Sequence, residues 1–255
     1  MVNITGSTNE DLARRAKSGE PGGVVLCAEE QSAGRGRLMR QWQSPPSAGL
    51  AVSALLRPET PASTWGLLSL LSGVALAEAL REDGGVRVGL KWPNDVLIGP
   101  LDNPRHPPPA GNAQNPLRKC AGILATGSPG AVVIGVGLNV TLTAEELPHD
   151  NATSLLLCGG NTDREALLIA FLRRFEHHYL AWMRHHGDAE ASGVLEAWRR
   201  DSDTLGREVS VSYPDGSHIV GRAEDVNRDG QLVLKYDSEL VNVSAGDIHH
   251  LRSRQ

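Results

Sequence analysis

Apolar positions along the chain fall into two regimes. Up to about residue 200 they come mostly as unbroken runs; beyond Leu205-Gly206 they alternate. Gly23 to Glu29 and Gly49 to Leu56 are short apolar runs bounded by turn residues, the pattern of buried strands. Thr64 to Leu80 is almost wholly apolar and too long for a typical strand, which predicts a buried helix ended by Asp83-Gly84-Gly85. Val86 to Lys91 predicts a third strand. Pro93 cannot donate to a sheet ladder, so 86–91 and 95–98 read as one kinked or bulged segment. Lys119 to Leu124 and Ala131 to Val140 predict two more strands.

Helix signals punctuate these runs. Thr8-x-x-Asp11 matches a helix start ahead of Leu12 to Ala16, and Thr162-x-x-Glu165 reads as a capping box. Leu168, Phe171, Leu172, Phe175, Tyr179 and Trp182 then recur at helical spacing, with His177, His178, His185 and His186 on what reads as a solvated face. A further helix runs from roughly Asp188 to Arg200. Val209 to Tyr213, Ile219 to Val226, Leu232 to Tyr236 and Leu240 to Val243 are short and alternating, separated by Pro214-Asp215-Gly216 and Arg228-Asp229-Gly230. The pattern predicts two domains, 1–203 and a small β-barrel-like 204–255, too small to stand alone. Residues 99–118 hold six prolines and no periodicity and read as a flexible insertion.

Composition narrows the class. A formal charge of −5 argues against general nucleic-acid binding. No apolar stretch is long enough for a membrane span and none resembles a signal peptide, so the expected location is the cytoplasm. Cys27, Cys120 and Cys158 are widely spaced, with no C-x-x-C pair to suggest zinc or a disulfide framework. Only four of the 25 basic residues are lysines, and two of those, Lys91 and Lys119, lie in motif-like stretches.

The chemistry concentrates between the first two predicted strands. Residues 29 to 45 place Arg35, Arg37 and Arg40 within six positions, with Gly34 and Gly36 among them and Trp42 following. Guanidinium forks suit phosphate oxygens, glycines permit close backbone approach, and an indole can stack on a base. One reading is a loop closing over a nucleotide; the other is a solvated basic loop. Lys91-Trp92-Pro93-Asn94-Asp95 is equally open: a plain Asn-Asp turn, or a site in which Asp95 meets magnesium or orients a base beside Lys91. Gly135-Val136-Gly137 inside a strand marks close approach by a ligand or another backbone. It is not a dinucleotide fingerprint, and no phosphate-binding P-loop occurs.

Taken in order, Gly6-Ser7-Thr8-Asn9, Gly34-Arg35-Gly36-Arg37 with Arg40 and Trp42, Lys91-Trp92-Pro93-Asn94-Asp95, Lys119-x-Ala121-Gly122-Ile123-Leu124, Gly135-x-Gly137-x-Asn139 and Ala152-Thr153-Ser154-Leu155 resemble the biotin–protein ligases, over nearly the whole chain. The resemblance implies an α+β fold: a mixed, mostly antiparallel sheet flanked by helices, like the class II aminoacyl-tRNA synthetases, with a C-terminal SH3-like β-barrel. It implies two steps, biotin and ATP giving biotinyl-5′-AMP and pyrophosphate, then transfer to a lysine of a biotin carboxyl carrier domain of acyl-CoA carboxylases. Mg2+ would accompany ATP. No nucleic acid or membrane partner is expected, and the chain would act as a monomer or weak homodimer.

By the same resemblance Ser7, Thr8, Asn9, Gln31, Arg35, Gly36, Arg37 and Lys119 would contact biotin. Arg35, Arg37, Arg40, Trp42, Lys91, Asn94 and Asn139 would contact ATP or the adenylate, with Trp42 over the adenine. Arg37, Lys119 and Asp95 would be catalytic, Asp95 serving the metal or the incoming amine. A mixed anhydride hydrolyses in water, so the 34–42 loop is expected to be mobile without ligand and ordered by the intermediate. Three departures stand out. Met39 replaces a glycine frequent in the family, the 99–118 insertion is unusual, and the Ser-Thr-Asn motif begins too early for a preceding DNA-binding domain, which points to a monofunctional ligase. The alternatives are a lipoate–protein ligase or octanoyl transferase of the same fold, or a non-catalytic biotin sensor.

Overall fold

A computed structural model describes residues 1–101, 116–213, 216–244 and 246–251. Most of the proline-rich insertion, the Pro214-Asp215 turn positions and the side chain of Met39 lie outside the described residues. The chain runs β1 (Val2–Thr5), α1 (Thr8–Lys17), β2 (Val24–Gln31), β3 (Gly49–Leu56), α2 (Leu67–Glu82), β4 (Arg87–Lys91), β5 (Asp95–Gly99), β6 (Arg118–Ser128) and β7 (Ala131–Asn139). Then come α3 (Arg164–Arg184), α4 (Val194–Asp201) and five short strands, β8 (Glu208–Ser212), β9 (His218–Val226), β10 (Leu232–Tyr236), β11 (Glu239–Val243) and β12 (Asp247–His250).

β1 to β7 form one sheet in the order β1-β2-β3-β7-β6-β5-β4, with only the β1–β2 pair parallel. Its two faces differ. Leu50, Val52, Ala54 and Leu56 of β3 and Val132, Ile134, Val136 and Leu138 of β7 point to the large core under α2, α3 and α4. Alternate residues, Leu55, Ala131 and Val133, meet Leu12 and Ala16 of α1 on the opposite face. α1 covers only part of that face, and the uncovered part carries the site. α2 anchors the larger core: 12 of its 16 residues are buried. Each fully buried leucine there is worth about 1.5–3 kcal/mol.

β8 to β12 make a second, antiparallel sheet in the order β11-β10-β9-β8-β12; four of its strands match the expected ones, and β12, which the sequence reading did not identify, pairs with β8 at the edge. Its inward side chains, Val209, Val211, Ala223, Leu232 and Leu234, belong to the same buried cluster as α2 and α4. Polar ties cross the junction. Trp92 donates through Nε1 to the Gly230 carbonyl, and Arg199 of α4 binds Asp225 and the Val226 carbonyl.

Several local expectations are corrected. The N-cap of α1 is Ser7, not Thr8, and that of α3 is Asp163, whose carboxylate accepts from the N–H groups of Glu165 and Ala166. β4 and β5 are the two arms of an antiparallel hairpin, with Lys91 paired to Asp95 and a cis Trp92-Pro93 bond in the turn. β1 escaped the sequence reading because it is short and largely exposed. The final helix is shorter than expected, Val194–Asp201. His178 is not merely solvated: its Nε2 lies 2.8 Å from Glu78 of α2.

Candidate active site

The uncovered face of the large sheet and the near edge of the small one enclose a cleft of roughly 1870 Å³. All fourteen residues expected at the site line it: Ser7, Thr8, Asn9, Gln31, Arg35, Gly36, Arg37, Arg40, Trp42, Lys91, Asn94, Asp95, Lys119 and Asn139.

One end is polar and uncharged. The N-terminus of α1 abuts the sheet where β3 carries Ser53, so hydroxyls and amides gather there. The Gln31 side-chain oxygen accepts from the Thr8 N–H at 2.9 Å. Thr8 Oγ1 lies 2.7 Å from Ser53 Oγ, which in turn donates to Asn9 Oδ1 at 2.6 Å. Asn9 Nδ2 donates to the Leu124 carbonyl and to Thr126 Oγ1. Ser7, Thr8, Asn9 and Ser53 are all buried.

The floor consists of glycines. The sheet register sets Ser53 against Gly135 and Ala51 against Gly137, which pairs in turn with Gly122. A Cβ on Gly137 would come within 2.4 Å of the Trp42 ring, and one on Gly135 within 2.2 Å of Asn9 Oδ1. The close approach anticipated from Gly135-x-Gly137 is therefore made by the protein's own side chains. The Trp42 indole packs against the sheet at Gly137 and Gly122, with Lys119 Nζ 5.8 Å from its ring centroid.

The other end is cationic. The arginine loop folds back on itself: Gly36 N–H donates to Arg40, and Trp42 N–H to Gly34. Gly34 is required because a Cβ would lie 2.3 Å from the Trp42 carbonyl. Arg35 Nε is 2.8 Å from Glu10 of α1, Arg37 donates to the Gly246 carbonyl at 3.4 Å, and Arg40 is paired with Asp247 of β12. Burial holds the Arg37 guanidinium below its ordinary pKa, with Asp247 and Asp95 opposing the shift. Burial lowers the Lys91 ammonium as well, and neighbouring Lys119 adds to the effect while Asp95, Asp247 and Asp203 oppose it. Both cations would gain from an arriving anion.

Lys119 reaches the cleft through an irregularity. Along β6, Gly122 belongs to the glycine floor, whereas Ala121 and Ile123 face the core. Strict alternation would send Lys119 to the core with them. The β5–β6 register shifts between Val96 and Leu97, which pair with Ala121 and Lys119, so Cys120 is an extra residue. This β-bulge buries Cys120 and re-aims Lys119, whose Nζ meets Asp95 Oδ1 at 2.6 Å.

Two residues expected at the nucleotide also bind the backbone. Asn94 donates through Nδ2 to the Ile123 carbonyl, and buried Asn139 donates likewise to Thr153. The Asp95 carboxylate is ion-paired with Lys119, and among the described residues it does not belong to a group of three or more His, Cys, Asp or Glu side chains. The sequence reading missed Ser53, Glu10, Gly246 and Asp247. Ser53 did leave a signal, a lone hydroxyl inside the apolar run Gly49 to Leu56. Asp247 left none, because its role depends on how the two sheets dock.

Fold and cleft together define a class: an α+β ligase-type domain with a small β domain closing one side of its site. A family model described as "Biotin/lipoate A/B protein ligase family" matches residues 2–140, and one described as "Biotin protein ligase C terminal domain" matches residues 204–251. The chain belongs to the biotin/lipoate A/B protein ligase family. It is 40% identical over 258 residues to the biotin–[acetyl-CoA-carboxylase] ligase of Mycobacterium tuberculosis, covering 99% of this chain and 88% of that protein. It is 30% identical to the bifunctional ligase/repressor BirA of Escherichia coli, over 100% of this chain and 74% of that protein. Among solved structures it resembles the biotin protein ligase of Aquifex aeolicus in complex with biotin and ATP, with a TM-score of 0.74 and 25% identity over 99% of this chain and 97% of that one.

Proposed function

We propose that the chain is a biotin–[biotin carboxyl-carrier protein] ligase, which joins biotin to a carrier lysine through biotinyl-5′-AMP. The observation that carries this reading is one cleft with a hydrogen-bonding neutral end at Thr8 and Gln31 and a cationic end at Arg37 and Lys119. That polarity suits a molecule with a neutral ureido ring and a carboxylate. The Mycobacterium tuberculosis relative is named for ligating biotin to acetyl-CoA-carboxylase, and the Aquifex aeolicus biotin protein ligase structure holds biotin and ATP.

In the first step a biotin carboxylate oxygen attacks the α-phosphorus of ATP, and the bond to the β-phosphate breaks to release pyrophosphate. Two anions must meet, so Lys119 and Arg37 neutralise the carboxylate and the α-phosphate as they converge. Arg35 and Arg40 exchange Glu10 and Asp247 for phosphate oxygens, and the loop closes over the anhydride. Trp42, packed on the floor, walls the channel between the two ends. Lys91 adds positive charge on the nucleotide side; Asn94 and Asn139, each held through Nδ2 by a backbone carbonyl, brace the site beside the nucleotide. In the second step the carrier amine attacks the biotinyl carbonyl carbon and AMP leaves, with Asp95 placed to take the amine's proton. Asp95 is the carboxylate that would meet a magnesium ion accompanying the nucleotide, an ion that would neutralise charge on the departing pyrophosphate.

The same reading divides the chain at 203/204, with a carboxylase carrier domain as partner and the chain acting as a monomer or weak homodimer. No helix of the described residues is long and apolar enough to cross a membrane. Exchange of labelled pyrophosphate into ATP tests the proposal. It should require biotin and fail with lipoate or octanoate, and Lys119→Ala or Arg37→Ala should slow it by about 10²–10³-fold. Exchange driven equally well by lipoate would overturn the substrate, and undiminished exchange in both variants would overturn the mechanism.

A further inference from the structure

We infer that Ser53 is a specificity-determining positioning residue, which fixes the proton direction of the Thr8 hydroxyl so that Thr8 meets the ligand only as an acceptor. The argument starts at an atom whose role is unambiguous. The Leu124 carbonyl can only accept, and it lies 3.0 Å from Asn9 Nδ2, so the Asn9 amide nitrogen faces β6. Asn9 Oδ1 therefore faces Ser53, and being acceptor-only it takes the Ser53 proton, across 2.6 Å. Ser53 has no second proton. Its oxygen lies 2.7 Å from Thr8 Oγ1, a separation at which two oxygens repel unless a proton lies between them. That proton must come from Thr8.

The alternative direction for the Thr8 proton is Gln31 Oε1, 3.1 Å away. Gln31 Oε1 already accepts the Thr8 backbone N–H, and choosing it would leave the Thr8 and Ser53 oxygens facing each other bare. The chain of hydrogen bonds thus runs one way, Thr8 to Ser53 to Asn9, with the Asn9 amide donating onward to Leu124. Ser53 is 1% exposed, so water does not compete for it. Thr8 is left with lone pairs for the cleft. Resting on the biotin reading, this deepens it: the relay selects a ring N–H at that position and disfavours an oxygen there, while a ring carbonyl must look to other donors.

Ser53 touches no ligand in this scheme, so its test needs a readout that general damage would not move. Dissociation constants of the full-length protein for biotin are compared with those for the two cyclic carbamates in which one ureido N–H is replaced by oxygen. In the wild type the carbamate with oxygen toward Thr8 should bind about a hundredfold more weakly than biotin, the penalty of facing acceptor with acceptor. In Ser53→Ala the Thr8 hydroxyl is free to turn and donate, so biotin weakens while the carbamate-to-biotin ratio falls about tenfold. Loss of packing alone would weaken both ligands equally and leave the ratio unchanged, and that result overturns the inference. Thermal unfolding checks that the variant is folded. Should Ser53→Ala not fold, Ser53→Cys, a weaker donor and acceptor, must give an intermediate ratio; a wild-type ratio there also overturns it. A wild-type protein that binds neither biotin nor its carbamates would instead refute the ligase reading on which the inference rests.

Discussion

At the scale of single residues the site is built from what is left out as much as from what is present. Gly122, Gly135 and Gly137 lack the Cβ atoms that would otherwise push Asn9 and Trp42 off the sheet. Gly137→Ala places a methyl 2.4 Å from the indole, against a ring that has the sheet beneath it and Lys119 above. The substitution should raise the biotin Kd by about tenfold or more, since displaced positioning groups are costly. Calorimetric titration with biotin checks it; unchanged affinity would mean that the floor does not hold Trp42. The sequence already made Gly135 and Gly137 legible as points of close approach, because glycine inside a strand often marks a site where a ligand or another backbone comes near. It did not reveal what approaches them, since Asn9 and Gly135 are brought together only by folding. Ser53 was legible only as an oddity in an apolar strand, because the relay that gives it a role spans α1, β3 and β6.

At the scale of elements, the loop of residues 34–42 and strand β6 carry most of the consequence. The loop was read from sequence as a mobile cover. The structure describes it as a hairpin-like fold whose arginines are each held: Arg35 by Glu10, Arg37 by a carbonyl of the C-terminal sheet, Arg40 by Asp247. Asp247→Asn removes one of those holds. Protease should cut the ligand-free loop faster in that variant, while protein carrying the adenylate should resist equally in both, because phosphate then replaces the carboxylate. Equal cutting of the two ligand-free proteins would show that Asp247 does not restrain the loop. The strand pattern of β6 was read correctly as an element and incompletely as a direction. A one-residue slip moves every side chain to the other face, so the bulge at Cys120, invisible in the apolar pattern, decides where Lys119 points. The helix starts were displaced by one residue because Ser7-Thr8 and Thr162-Asp163 each offer two adjacent capping side chains, and backbone geometry chooses between them.

At the scale of the whole molecule, the two sheets share one core, and His250 sits at their junction. Its ring approaches Thr204 and Asp203, while burial foremost, then Lys91 and Arg207, push its pKa down to about 4. The unfolded chain would protonate this residue near 6.5. A depressed folded pKa means that the unfolded state binds more protons between those values. The contribution to stability is therefore intact above about 6.5 and is lost as pH falls toward 4. Urea midpoints measured across that window should fall less steeply on acidification in His250→Gln than in the wild type; parallel curves would remove His250 from the account. The junction was only half legible beforehand: the small size of the C-terminal unit required it to lean on something, but nothing in the pattern named Trp92 and Arg199 as its fasteners. The placement of Trp42 has a practical consequence. An indole resting under an ammonium is a fluorophore in a local electric field, and an acid that draws Lys119 toward its own carboxylate changes that field. Its emission should shift on titration with biotin against a steadier background from Trp65, Trp182 and Trp198, which do not line the cleft, so that occupancy can be followed in real time by intrinsic light alone.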